Sequence, residues 1–142
     1  MARRARVVIP DWPQNITQRG NHRQTVFFSQ NDRIIYLELL RRYIYIDELS
    51  LIGYCLISNY ARFVLISPKE EALSLGVGQL NQDFSRLQNM RCGRNVHLWQ
   101  YGFFSCPVQH EGIWEVLVFV KLNPMRAHPT CINIYAWVMK TS

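Results

Sequence analysis

The sequence predicts an α+β fold, a ferredoxin-like sandwich with an antiparallel sheet and helices packed on one face. Three observations predict it. Two short runs, Leu51 to Leu56 and Tyr60 to Ile66, are apolar, β-branched and aromatic and are separated only by a Ser58-Asn59 break, the pattern of two antiparallel strands. Two longer stretches repeat apolar residues at helical spacing, one before that pair and one after it. Apolar residues make up 49% of a 142-residue chain, enough for one domain with a sizeable core and too much for a disordered one.

Each element follows in order. Arg6 to Ile9 is a short apolar run, interrupted by Pro10 and Pro13, and Asn15 to Arg19 resumes as a strand. Gly20-Asn21 is a turn signal. Asn31 or Asp32 is placed to cap a helix, and Ile35, Leu39, Tyr43 and Ile46 then keep helical spacing, giving a first helix over 32–49. The strands 51–56 and 60–66 come next, and Pro68 ends the second. Leu73, Val77, Leu80, Phe84 and Leu87 mark a second helix over 70–91, with Gly76 and Gly78 weakening its start. Residues 91–95 form a basic loop, and Phe103 to Val108 reads as a strand. Ile113, Trp114, Leu117 and Val120 mark a third helix that Pro124 stops. No repeat, linker or low-complexity segment interrupts this order.

The net charge is +6. Thirteen of the basic residues are Arg and three are Lys, and the planar guanidinium fork suits phosphate and guanine edges. This balance fits a polyanionic partner. Cys55, Cys92, Cys106 and Cys131 show no zinc spacing and no disulfide framework. Reduced thiols in a cytoplasmic protein are expected from that pattern. The basic start, Met-Ala-Arg-Arg-Ala-Arg, is followed by no long apolar stretch, which argues against a signal peptide and a membrane span. His22, His97, His110 and His128 are scattered and form no pair at ligand spacing.

Four short motifs stand in this frame: Thr17-Gln18-Arg19-Gly20-Asn21, Asn59-Tyr60-Ala61-Arg62-Phe63, His97-Leu98-Trp99-Gln100 and Leu122-Asn123-Pro124-Met125-Arg126-Ala127. Together they resemble the single-tyrosine HUH transposases, in particular the REP-associated tyrosine transposases and their insertion-sequence relatives, over residues 6 to 137. The resemblance implies the ferredoxin-like fold. It also implies an activity, cutting and rejoining single-stranded hairpin DNA through a phosphotyrosine link. In that family a strand carries Asn-His-x-His. Its two His bind Mg²⁺ or Mn²⁺, and a Tyr on a later helix attacks the phosphate.

This chain departs from the pattern where the chemistry lies. The two His positions read Tyr60 and Arg62, the nucleophile position reads Phe119, and the third-ligand position four residues later reads Asn123. Residues two apart on a strand share a face, so Tyr60 and Arg62 stand where a metal would be clamped. A Tyr ligates a metal only as phenolate, with a pKa near 10 to overcome, and Arg carries a fixed positive charge. Phe119 has no nucleophilic oxygen. The other candidate nucleophiles, Tyr60 and Tyr101, have no evident activator. Gln14-Asn15 replaces a family His pair, and Gly102 replaces a family Arg.

The expectation is a degenerate transposase without the family's strand cleavage, with no metal and no intact catalytic residue, that still binds single-stranded or hairpin DNA. Candidate DNA contacts are Arg19, Asn21 and Arg23 at the first turn, Arg86, Arg91 and Arg94 near the end of the second helix, and Arg126. Trp99 and Phe103 are expected in the core rather than as base-stacking platforms. A homodimer stays open. So do two alternatives, an active transposase or nickase with relocated residues and a decayed protein acting as an interaction module without nucleic acid.

Overall fold

The computed structural model describes residues 8–100 and 102–108. The expected third helix, with Phe119, Asn123 and Arg126, lies outside the described residues, as does Tyr101. The elements run β1 (Pro13–Arg19), a 3-10 turn (Asn21–Arg23), α1 (Gln30–Ile46), β2 (Ser50–Ile57), β3 (Tyr60–Ile66), α2 (Glu70–Cys92) and β4 (Phe104–Pro107). They build a four-stranded sheet in the order β2-β3-β1-β4, with every neighbouring pair antiparallel. This is the expected ferredoxin-like topology. Among the described residues no helix is long and apolar enough to cross a membrane.

Alternation on the strands sorts the sheet into two faces. Ile16 of β1, Leu51, Tyr54 and Leu56 of β2, and Ala61, Phe63 and Leu65 of β3 face the helices and join one core with Tyr36, Leu40, Leu73, Leu80 and Phe84. The intervening residues face the other way, where Cys55, Ile57 and Val64 form a second buried cluster with Ile52 and Tyr60 beside it. At the centre of the main core, Tyr36 meets Phe27 and Phe84 edge-on at 5.2 and 5.1 Å. Trp99 and Phe103 are each 6% exposed, as expected of core residues. The sheet also bulges at Ile52, which β3 leaves without a facing residue.

Several boundaries differ from the sequence reading. Ser29, rather than Asn31 or Asp32, caps α1, and its side chain accepts the Asp32 amide at 3.3 Å. Asp32 then reaches back to accept the Phe28 amide at 2.8 Å, an arrangement close to a capping box. The helix ends at Ile46, before 49, because Glu48 turns left-handed at φ 57° and the Leu49 amide donates to the Ile44 carbonyl at 2.9 Å. That is a Schellman stop without glycine. At the end of α2 the same stop uses Gly93, at φ 60°, with Arg94 donating to the Asn89 carbonyl at 3.0 Å. Strand β1 starts at Pro13, earlier than Asn15, and β4 is shorter than 103–108 by one residue at each end. Leu87 is 36% exposed despite its helical spacing, and Gln88 is buried beside it instead, donating to the Val26 carbonyl at 2.9 Å.

A buried polar chain fixes α2 against the sheet. The Tyr36 hydroxyl donates to Asn81 Oδ1 at 2.9 Å, Asn81 Nδ2 donates to Gln18 Oε1 at 2.9 Å, and Gln18 Nε2 donates to the Gln100 carbonyl at 3.1 Å. The Trp99 indole donates to the Asn81 carbonyl at 3.0 Å. Buried polar groups persist where they are bonded in this way. The chain ties α1, α2, β1 and residues 99–100 into one frame, and that frame sets the position of the sheet's outer face.

Candidate nucleic-acid interface

Tyr60 and Arg62 lie on the outer face of β3, away from α1 and α2, as their alternation with Ala61, Phe63 and Leu65 requires. The register lines residues up in rows across the strands. Phe104, Thr17, Arg62 and Cys55 form one row, from β4 to β2. Arg19, Tyr60 and Ile57 form the next. Arg19 and Arg62 are therefore diagonal neighbours on one face.

The Tyr60 and Arg62 side chains contact each other. The Arg62 guanidinium carbon lies 5.6 Å from the centroid of the Tyr60 ring, within cation–π range. Burial pushes the Tyr60 phenol above its ordinary pKa, Cys55 adds to that, and the charges of Arg62 and Arg19 oppose it. Burial likewise lowers the Arg62 guanidinium, and Arg19 lowers it further, against Tyr60 and Cys55. These side chains do not fit a divalent cation. The phenol resists becoming a phenolate, and two guanidinium charges face the place a cation would take. Among the described residues no three His, Cys, Asp or Glu side chains gather into a ligand set.

The turn after β1 has a strained backbone. His22 and Arg23 both adopt positive φ, 54° and 57°, a region that non-glycine residues seldom occupy. The structure pins the turn from outside. The Asn21 amide donates to the Leu98 carbonyl at 2.8 Å, and Gln24 Nε2 donates to the His97 carbonyl at 2.8 Å. Gly20 makes the approach feasible, because a Cβ there would lie 2.3 Å from the Gln24 carbonyl oxygen. Arg19 is exposed just before this turn.

The expected cluster of Arg86, Arg91 and Arg94 is divided. Positions five apart on a helix differ by about 140° in direction. Arg86 lines a cleft of about 650 Å³ between α2 and residues 97–99 and 102–103, together with Gln18, Asn81, His97, Trp99 and Phe103. Arg91 turns instead to the start of α1, where its Nη1 lies 2.6 Å from Asp32 Oδ1. It serves there as an ion-pair partner while its side chain stays 40% exposed. Arg94 stacks over the exposed Phe28 ring at 5.2 Å.

One aromatic gains weight only from the structure. Phe104 is 64% exposed on the outer face, directly across from Thr17. It borders a hollow of about 210 Å³ with Thr17, Gln18, Arg19, Gln100 and Gly102. Alternation from the buried Phe103 would have pointed to it.

No protein-family model matches the sequence, and no curated protein does. Solved structures do. A REP-associated tyrosine transposase bound to a REP hairpin superposes with a TM-score of 0.71 at 12% identity, over 89% of this chain and 74% of that one. A Deinococcus radiodurans R1 protein assigned to the transposases superposes with a TM-score of 0.51 at 14% identity, over 90% of this chain and 100% of that one. The chain has the fold of a REP-associated tyrosine transposase.

Proposed function

We propose that this chain is a transposase-like DNA-binding protein that holds single-stranded or hairpin DNA on the outer face of its sheet and does not cut it by metal and tyrosine chemistry. One observation carries the reading. On the fold of a transposase bound to a REP hairpin, the strand positions that would clamp the metal hold Tyr60 and Arg62, stacked on each other. The sequence adds Phe119 at the nucleophile position and Asn123 as a lone neutral ligand, so metal and nucleophile are absent together.

Binding does not need either group. Phosphate contacts supply most of the affinity of such proteins and come from Arg side chains and backbone amides. Arg19, Asn21 and Arg23 at the pinned turn, Arg86 in the cleft, Arg94 and Arg126 supply them in this reading. The test is a gel-shift titration with hairpin and unpaired DNA over a range of salt. A retarded complex that weakens steeply with salt is the expected result. Failure to retard either DNA at low salt would favour the interaction-module alternative.

A further inference from the structure

We propose that Arg62, Arg19 and Phe104 form a metal-independent nucleotide seat, in which the two guanidinium groups take a phosphodiester and the Phe104 ring takes an adjoining base. The inference deepens the DNA-binding reading and rests on it for the identity of the polymer.

The geometry comes from the register. Arg62 and Phe104 occupy one cross-strand row, both facing Thr17. Neighbouring strands lie about 4.8 Å apart, so the two residues stand roughly 10 Å apart at the backbone, within the span that two long side chains can bridge around one nucleotide. Arg19 is on the next row of the same face, opposite Tyr60. Thr17 is 8% exposed and its outward side chain forms the floor between the arms. The hollow of about 210 Å³ beside Arg19 and Phe104 leaves room next to the exposed ring.

Chemistry gives each member a part. An anion set between Arg19 and Arg62 is within reach of guanidinium donors from both strands. Tyr60 holds the Arg62 guanidinium against its ring at 5.6 Å, which limits the fork's freedom before a ligand arrives. A phosphodiester matches the fork, and a carboxylate would match it too. The exposed aromatic beside the pair favours the nucleotide, since base stacking on such a ring is indifferent to sequence. The seat thus does with two organic cations what a metal ion would do for a phosphate's charge, without activating a nucleophile.

The experiment has two arms on the full chain. The first measures affinity for a fluorescent hairpin and for oligo-dT in EDTA and in Mg²⁺, for the unmodified protein, Arg62→Gln, Arg62→Lys and Phe104→Ala. The expected results are equal affinity in both buffers and about a tenfold loss for R62Q, with the salt slope falling by about 0.7. R62K should keep the slope. F104A should lose roughly five- to hundredfold. The second arm follows the Arg side-chain Nε–H resonances by NMR while inorganic phosphate and then the dinucleotide pTpT are added. Arg62 and Arg19 should shift with both, and only pTpT should also move the Phe104 ring signals.

Arg62 shifting with phosphate in a protein that binds no DNA would leave the seat standing and sink the DNA reading. DNA binding that R62Q leaves unchanged, with a silent Arg62 resonance, would overturn the seat and leave the DNA reading intact. Binding abolished by EDTA would overturn it as well. Unchanged circular dichroism of R62Q and F104A separates lost contact from lost folding.

Discussion

Replacing Asn81 by Ala removes the middle of the buried chain that joins Tyr36 to Gln18. Tyr36 is fully buried and donates to Asn81 Oδ1 at 2.9 Å, so N81A leaves that hydroxyl without its acceptor. An orphaned buried hydroxyl costs about 1–3 kcal/mol, and the lost bond to Gln18 a further 0.5–1.5 kcal/mol or so. The two together predict roughly 2–4 kcal/mol, a large part of the 5–15 kcal/mol or so that a domain of this size has. Tyr36→Phe alone should lose about 1–2 kcal/mol, because Asn81 then lacks a donor. In the double variant neither orphan of that pair exists, so the losses should fall short of their sum by about 1 kcal/mol or more. Urea unfolding followed by circular dichroism and by tryptophan fluorescence measures all four proteins. Strict additivity, or N81A within about 0.5 kcal/mol of the unmodified protein, would refute the reasoning.

Three further outcomes are expected. Although burial alone would raise the Asp32 carboxyl, hydrogen bonds from Gln88, the Phe28 amide and Arg91 hold its pKa below the ordinary value. Its contribution is therefore present above an unfolded pKa of about 3.9 and lost as pH falls below that value. Asp32→Asn should cost about 1–2 kcal/mol at pH 7 and flatten the acid limb, as urea midpoints at pH 7 and pH 3 will show. Gly20→Ala should destabilise by about 2 kcal/mol or more in the same unfolding assay, since its Cβ would meet the Gln24 carbonyl oxygen at 2.3 Å. Arg91→Ala should lower stability while leaving the salt slope of DNA binding unchanged, because its guanidinium is held by Asp32, and parallel unfolding and gel-shift titrations separate the two effects.

The parts of the fold that were legible are those set by local pattern. Strand β3 matches its expected limits, 60–66, because the Ser58-Asn59 break and Pro68 bound it on both sides. Helix α2 starts at the expected residue 70 and ends at Cys92, one residue past the expected limit. The start of α1 was misplaced because Ser29, Asn31 and Asp32 can all cap, and only the pairing of Ser29 with Asp32 decides between them. Its end was hidden because Glu48 takes the left-handed turn that glycine would have announced. Long-range polar pairing left no local signal at all. Nothing near Arg91 in sequence points to Asp32, and nothing near Asn81 or Gln88 marks these polar residues as buried. At the candidate site, the shared face of Tyr60 and Arg62 followed from strand spacing, whereas Phe104 and Arg19 join it only through the order β3-β1-β4. The expected meeting of Phe119 and Asn123 with this face lies outside the described residues.

The claim that binding survives without strand cleavage is tested most directly by incubating the full chain with labelled single-stranded hairpin DNA and Mn²⁺, then resolving the products under denaturing conditions. The account predicts intact DNA and no protein–DNA adduct, from a preparation that retards the same hairpin in a native gel. It also predicts no adduct from Phe119→Tyr alone, because the metal site and the nucleophile act as one unit. A covalent adduct formed by the unmodified protein would contradict it.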